Sequence, residues 1–296
     1  MGAPRSVWWL LALLAIGMPV RAACPPEGQS VESLQALKAA KFEVADAGER
    51  MALARGLLDC LGDPDPKLRD GIAYEALTEW MRSKQLDTAG LQDLRTRLLA
   101  IVDGEDPQGF RRPFAALVLS EVARTDRIAP WMTPEERVTM VDAAARYEES
   151  VRDYRGFDAQ EGWRHGVAHG ADWLMQLALN PALERPQLER ILAAVASQAV
   201  PESAHPYVFG EPGRLARPVL YVARRGLLAE SEWQAWLLAL VPRLGPSPGY
   251  NDPAWLARRH DLLAFLTALY LEADQSDDAN IRALKPAVVA AIKEIS

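Results

Sequence analysis

The chain has 296 residues, with 40 acidic and 33 basic side chains, a formal net charge of −7 and 49% hydrophobic content. That composition buries a full core, which excludes a disordered chain, and a mean hydropathy of −0.10 excludes a polytopic membrane protein. The acidic balance offers no general attraction to phosphate backbones or anionic lipid, so nucleic acid is not an expected partner.

Residues 1–22 read as a signal peptide. Arg5 supplies the positive start, Val7 to Met18 form the apolar run, and Pro19 breaks it ahead of Val20-Arg21-Ala22, whose small residues suit a signal peptidase. The run is too short to span a hydrocarbon core, which takes roughly 20 residues. Arg21, three before Cys24, stands where a lipoprotein signal carries an aliphatic residue. The expectation is a periplasmic or secreted protein with no membrane attachment after cleavage, folded as one domain over 23–296. Export also permits a disulfide, and Cys24 and Cys60 are the only candidates. Their bridge would tie the new N-terminus to the second helix and contribute about 3–4 kcal/mol in the chain-entropy picture.

Beyond the signal, apolar residues recur at three and four rather than two, which predicts helices nearly throughout. A short one is expected near 31–41, followed by 46–61, 66–85, 88–102, 109–127, 134–155, 160–179, 185–199, 214–228, 232–243, 253–273 and 278–294. Asp46 with Glu49, Thr133 with Glu136 and Ser231 with Gln234 look like helix starts, and Pro/Gly clusters such as 62–66, 103–107 and 245–249 look like stops. The fold class is all-α. Helices of this length on short loops suggest antiparallel pairs stacked as a HEAT- or armadillo-like α-solenoid, with an α/α toroid or compact bundle as the alternative. The longest stretch without helical pattern is 200–213, and its length marks it as a functional loop.

Chemistry concentrates in Gly162-Trp163-Arg164-His165-Gly166-Val167-Ala168-His169-Gly170-Ala171-Asp172-Trp173, which holds two of four histidines. On a continuous helix at about 100° per residue, His169 lies about 40° from His165 and Asp172 about 20° to its other side, so all three share one stripe. Gly162, Gly166 and Gly170 would cost roughly 1 kcal/mol each against alanine, which demands close approach of a neighbouring helix or a ligand. Three readings follow. The stripe is a divalent metal site, such as zinc, ligated by His165, His169 and Asp172; a buried polar network in which Asp172 accepts from His169; or the floor of a ligand pocket. Trp163, Arg164 and Trp173 are rim candidates for that pocket, and Asp153 and Arg155 stand close upstream. Histidines four apart suit zinc, but Gly166 replaces the glutamate base of zincins, and Asp172 lies about 10.5 Å along the axis from His165.

The run Asp153-Tyr154-Arg155-Gly156-Phe157, followed by the 162–172 segment, resembles the signature of the bacterial domain-of-unknown-function family 2785. Arg69 to Tyr74, Arg112 to Leu119, where Pro113 replaces an expected serine, and the Asn251 to Tyr270 region extend the resemblance over most of the mature chain. It implies an all-α fold and supplies no established activity. Two function classes follow from the residues: a monomeric binding or scaffold protein for a small molecule or another protein, or a metal-dependent hydrolase using the His165, His169 and Asp172 stripe.

Overall fold

The computed structural model describes residues 24–295; the expected signal peptide lies outside the described residues. The protein is all-α. The helices are α1 (Val31–Ala39), α2 (Ala47–Cys60), α3 (Pro66–Leu68), α4 (Glu75–Arg82), α5 (Thr88–Val102), α6 (Arg111–Ile128), α7 (Pro134–Ser150), α8 (Gly166–Ala178), α9 (Arg185–Ala199), α10 (Glu211–Arg224), α11 (Glu230–Leu238), α12 (Pro253–Gln275), α13 (Ala279–Arg282) and α14 (Lys285–Ile295). A two-residue antiparallel hairpin, β1 (Phe157–Asp158) with β2 (Gly162–Trp163), separates α7 from α8.

The even-numbered helices pack in chain order: α4 on α6, α6 on α8, α8 on α10, α10 on α12 and α12 on α14. Around them α5 packs on α6, α7 on α8 and α9, and α9 on α10. Helix α8 therefore sits at the centre, contacting α6, α7, α9 and α10, and carries the fully buried Trp173 and Leu174. Burial of such side chains, about 1.5–3 kcal/mol each, outweighs the weak intrinsic propensity of a glycine-rich helix.

Local signals set most helix ends as the residue types dictate. Asp46 accepts the Glu49 N–H, and Thr133 and Glu136 form a reciprocal capping box. The disulfide joins Cys24 to Cys60, closing the N-terminus onto α2. Ser231 is not a cap; the helix starts one residue earlier, and the Glu232 carboxylate accepts the Ala229 N–H.

Three departures from the periodicity lie beside the cleft; away from it, the helix expected over 278–294 breaks between Arg282 and Lys285, and that expected over 232–243 ends at Leu238. The helix expected over 66–85 contains a π-helical turn, Arg69–Tyr74, between α3 and α4. The helix expected to reach 155 stops at Ser150, because Val151 turns to extended backbone and the buried Gln198 amide donates to the Glu148 and Val151 carbonyls. The helix expected over 160–179 begins only at Gly166, since 157–163 pair as a hairpin and His165 adopts the left-handed region at φ 56°. At the other side, α10 starts at Glu211, shortening the irregular stretch expected over 200–213.

Candidate functional site

The hairpin register carries past its last strand pair: the Arg164 N–H donates to the Gly156 carbonyl and the His165 N–H to that of Arg155. This holds His165 in a conformation that costs a non-glycine residue free energy, and such strain persists only where surroundings over-determine it. Helix α8 then starts from the His165 carbonyl, which accepts the His169 N–H. His165 is thus the cap of α8, and the two imidazoles approach from different backbone settings, with ring centroids 5.8 Å apart.

The glycines serve a helix, not a ligand. A β-carbon on Gly166 would lie 3.3 Å from Val151 Cγ1, and one on Gly170 would collide with the Glu148 carboxyl and the Tyr147 ring, so α7 presses directly on this face of α8. Gly162, at φ +73°, makes the tight turn that brings β2 against Pro66 and Arg69.

On the opposite side a cleft of about 530 Å³ opens between the π-helical turn, α6, α8 and the start of α10. Trp163, His165, His169 and Arg214 line one side, with Phe209 from the preceding loop; Asp70, Tyr74, Glu75, Phe114 and Leu117 line the other. Trp163 stacks on His165 at 4.7 Å and meets Phe209 edge-on at 5.9 Å. Phe114 meets His169 edge-on at 5.1 Å. Phe209 is fixed because its ring occupies the space a side chain at Gly156 would need.

Burial and the nearby Arg214 guanidinium push the His165 imidazole down to about 4. Burial, His165 and Arg214 together hold His169 well below the ordinary histidine range. Both rings are neutral at neutral pH. His169 Nδ1 lies 3.2 Å from the Pro113 carbonyl, an acceptor that only an Nδ1–H can satisfy, so Nε2 carries the ring's lone pair. His165 Nε2 is buried without a hydrogen-bond partner, and Glu211 Oε1 stands 3.7 Å away.

Asp172 does not accept from His169. Its carboxylate takes a two-pronged bond from Arg214, Nε to Oδ1 at 2.7 Å and Nη2 to Oδ2. Burial raises the Asp172 carboxyl, and Arg214 opposes that rise. Behind it, the fully buried Glu148 carboxyl has no hydrogen-bond partner on either oxygen; burial and the proximity of Asp172 raise it well above the ordinary range.

His165, His169 and Asp172 are therefore not a convergent ligand triad. The first precedes the helix, the second bonds Pro113 and the third is saturated by Arg214, and among the described residues no group of three or more His, Cys, Asp or Glu side chains is placed to hold a metal ion. Of the other expected residues, only Trp163 reaches the cleft. Arg164 lies over the Phe110 ring at 4.0 Å and bonds Gln108 O and Glu161; Asp153 and Arg155 pair with each other; Trp173 is buried against Tyr147. These side chains hold the hairpin and the 106–110 loop in place.

The cleft's far wall was not expected from patterning. Asp70 and Tyr74 reach it because the π-helical turn widens the helix by one residue, and such insertions occur often at functional sites. Arg69 anchors that turn, fully buried, donating to the Asp63 and Glu161 carbonyls and lying over the Phe110 and Phe114 rings. The available sequence signal was the family-like run from Arg69 to Tyr74, together with that from Arg112 to Leu119.

No curated protein matches the chain, and no solved structure matches it. No described helix is long and apolar enough to cross a membrane. The family described as Protein of unknown function (DUF2785) matches residues 98–271, which span α6 to α12 and the whole near wall of the cleft, and the chain belongs to that family.

Proposed function

We propose that this is an exported, monomeric binding protein whose cleft takes a small, neutral, polar molecule bearing a ring. The carrying observation is the lining of the 530 Å³ cleft, in which aromatic rings alternate with polar groups whose charges cancel. Arg214 is paired with Asp172, Glu75 with Lys38 and Asp70 with Arg69, while both imidazoles are neutral. A charged ligand would find no uncompensated counter-charge there. A neutral one finds ring faces in Tyr74, Trp163 and Phe209 and an imidazole acceptor in His169.

The packing of even-numbered helices in chain order supports a HEAT- or armadillo-like stack, in which such a cleft belongs to the face lined by successive inner helices. The apolar leader and the Cys24–Cys60 disulfide support export to the periplasm or medium.

Calorimetry and thermal-shift measurements against neutral ring-bearing polar compounds, namely monosaccharides, nucleosides and capped aromatic amino acids, with charged analogues as controls, test this reading. Neutral compounds should bind and raise Tm, and His169→Phe should abolish that binding while leaving the fold intact. Preference for charged analogues, or ligand binding unaffected by His169→Phe, would contradict it.

A further inference from the structure

A second hollow of about 450 Å³ lies on the other side of the π-helical turn, between that turn and α1, with Gln35, Lys38, Pro66 and Ile72 in its walls. Asp70 and Glu75 line both hollows, so the two adjoin across the π-helical turn. The combined path runs from Arg214 at the start of α10, over the π-helical turn, to Gln35 on α1.

We infer that the two hollows form one groove that takes an extended neutral glycan, one sugar unit or more in the aromatic cleft and the following units across Asp70 and Glu75 toward α1. This rests on the reading of the cleft as a site for neutral ring-bearing ligands and extends it to a substrate class. Sugar rings present apolar C–H faces that stack on aromatic side chains, and hydroxyls that both donate and accept. The groove supplies both: Tyr74, Trp163 and Phe209 as faces, and at the turn the acceptors Asp70 and Glu75, each already paired to a cation within the protein. An elongated, charge-balanced groove suits a linear neutral polymer better than an anionic one, whose charges would lose water there without meeting an unpaired cation.

The test is calorimetric titration of the full mature chain with neutral glucose oligomers, α-1,4- and β-1,4-linked, from one to six units, and with a capped neutral tetrapeptide. It is repeated on Gln35→Trp, an exposed α1 position whose larger side chain fills the second hollow from its rim. Affinity should rise by roughly tenfold or more between two and four sugar units, as adjacent subsites act on one molecule. Gln35→Trp should remove that gain and leave disaccharide binding unchanged. Equal affinity for di- and tetrasaccharide would overturn the groove while leaving the cleft reading in place. Length-dependent binding of the peptide without any saccharide binding would overturn the glycan assignment, and binding of nothing in either series would overturn the inference, with the monomer screen above deciding the cleft separately.

Discussion

Asp126 and Glu148 are both completely buried carboxyl groups on adjacent helices, and the protein treats them in opposite ways. Burial alone would raise Asp126, but Arg137 binds it with two nitrogens, the Met132 and Trp131 N–H groups donate to it, and Asn180 adds a further bond, so it falls below the ordinary carboxylate range. Glu148 has none of these partners and is pushed up. The first arrangement is a completed structural joint between α6, α7 and the end of α8. The second, with the unpartnered His165 Nε2, is an incompletely satisfied centre beside the cleft. Polar groups buried without partners cost stability, and proteins retain them mostly where a site needs them.

The largest expected effect comes from breaking the completed joint. Asp126→Ala leaves Arg137 and Asn180 unpaired in the core and should cost about 4–5 kcal/mol in chemical denaturation. A loss under about 1 kcal/mol would mean that the joint is not structural. Next is acid sensitivity on the other side of the comparison. His165 titrates at 6.5 when unfolded and about 4 when folded, so its contribution is complete above 6.5 and is lost as pH falls toward 4. That amounts to about 3 kcal/mol. His165→Gln should flatten this part of the stability profile, and an unchanged slope would show that the ring is not buried neutral.

Smaller again is the contact between α7 and α8. A methyl at Gly170 meets the Glu148 carboxyl and the Tyr147 ring. Gly170→Ala should therefore destabilise by about 2 kcal/mol despite its better helix propensity. A stabilised variant would mean that the two helices are not in close contact. A further effect has the opposite sign. Because the folded carboxyl of Glu148 is raised, stability falls as pH climbs above its unfolded value of 4.5. Glu148→Gln should then gain stability at pH near 8 and none near pH 4. Asp126→Asn, at the satisfied carboxyl, should lose stability at both.

Helix α5 over 88–102 and the caps at Asp46 and Thr133 were legible because they depend on residues within four positions of each other. The helical expectations at 66–85, 134–155 and 160–179 failed where long-range contacts decide. Gln198 reaches back to Glu148 and Val151, Arg69 reaches forward to Glu161, and the hairpin locks His165. Trp163, His165 and His169 were found as site residues because glycine spacing and histidine density are local signals. Asp70, Tyr74, Phe209 and Arg214 lie 40 to 100 positions away from those histidines, and although the first two fall in the family-like run and Phe209 in the 200–213 loop, nothing local joins them to the histidines. Arg214 in particular changes the role of Asp172 from histidine partner to guanidinium partner.

The most direct test is an NMR titration of the His165 and His169 ring nitrogens in the intact protein. At pH near 6 both imidazoles should be uncharged, with His169 carrying its proton on Nδ1 toward Pro113, and His165 should acquire charge only near 4. Rings that titrate at the ordinary 6.5, or a His169 protonated on Nε2, would contradict a cleft lined by buried neutral acceptors.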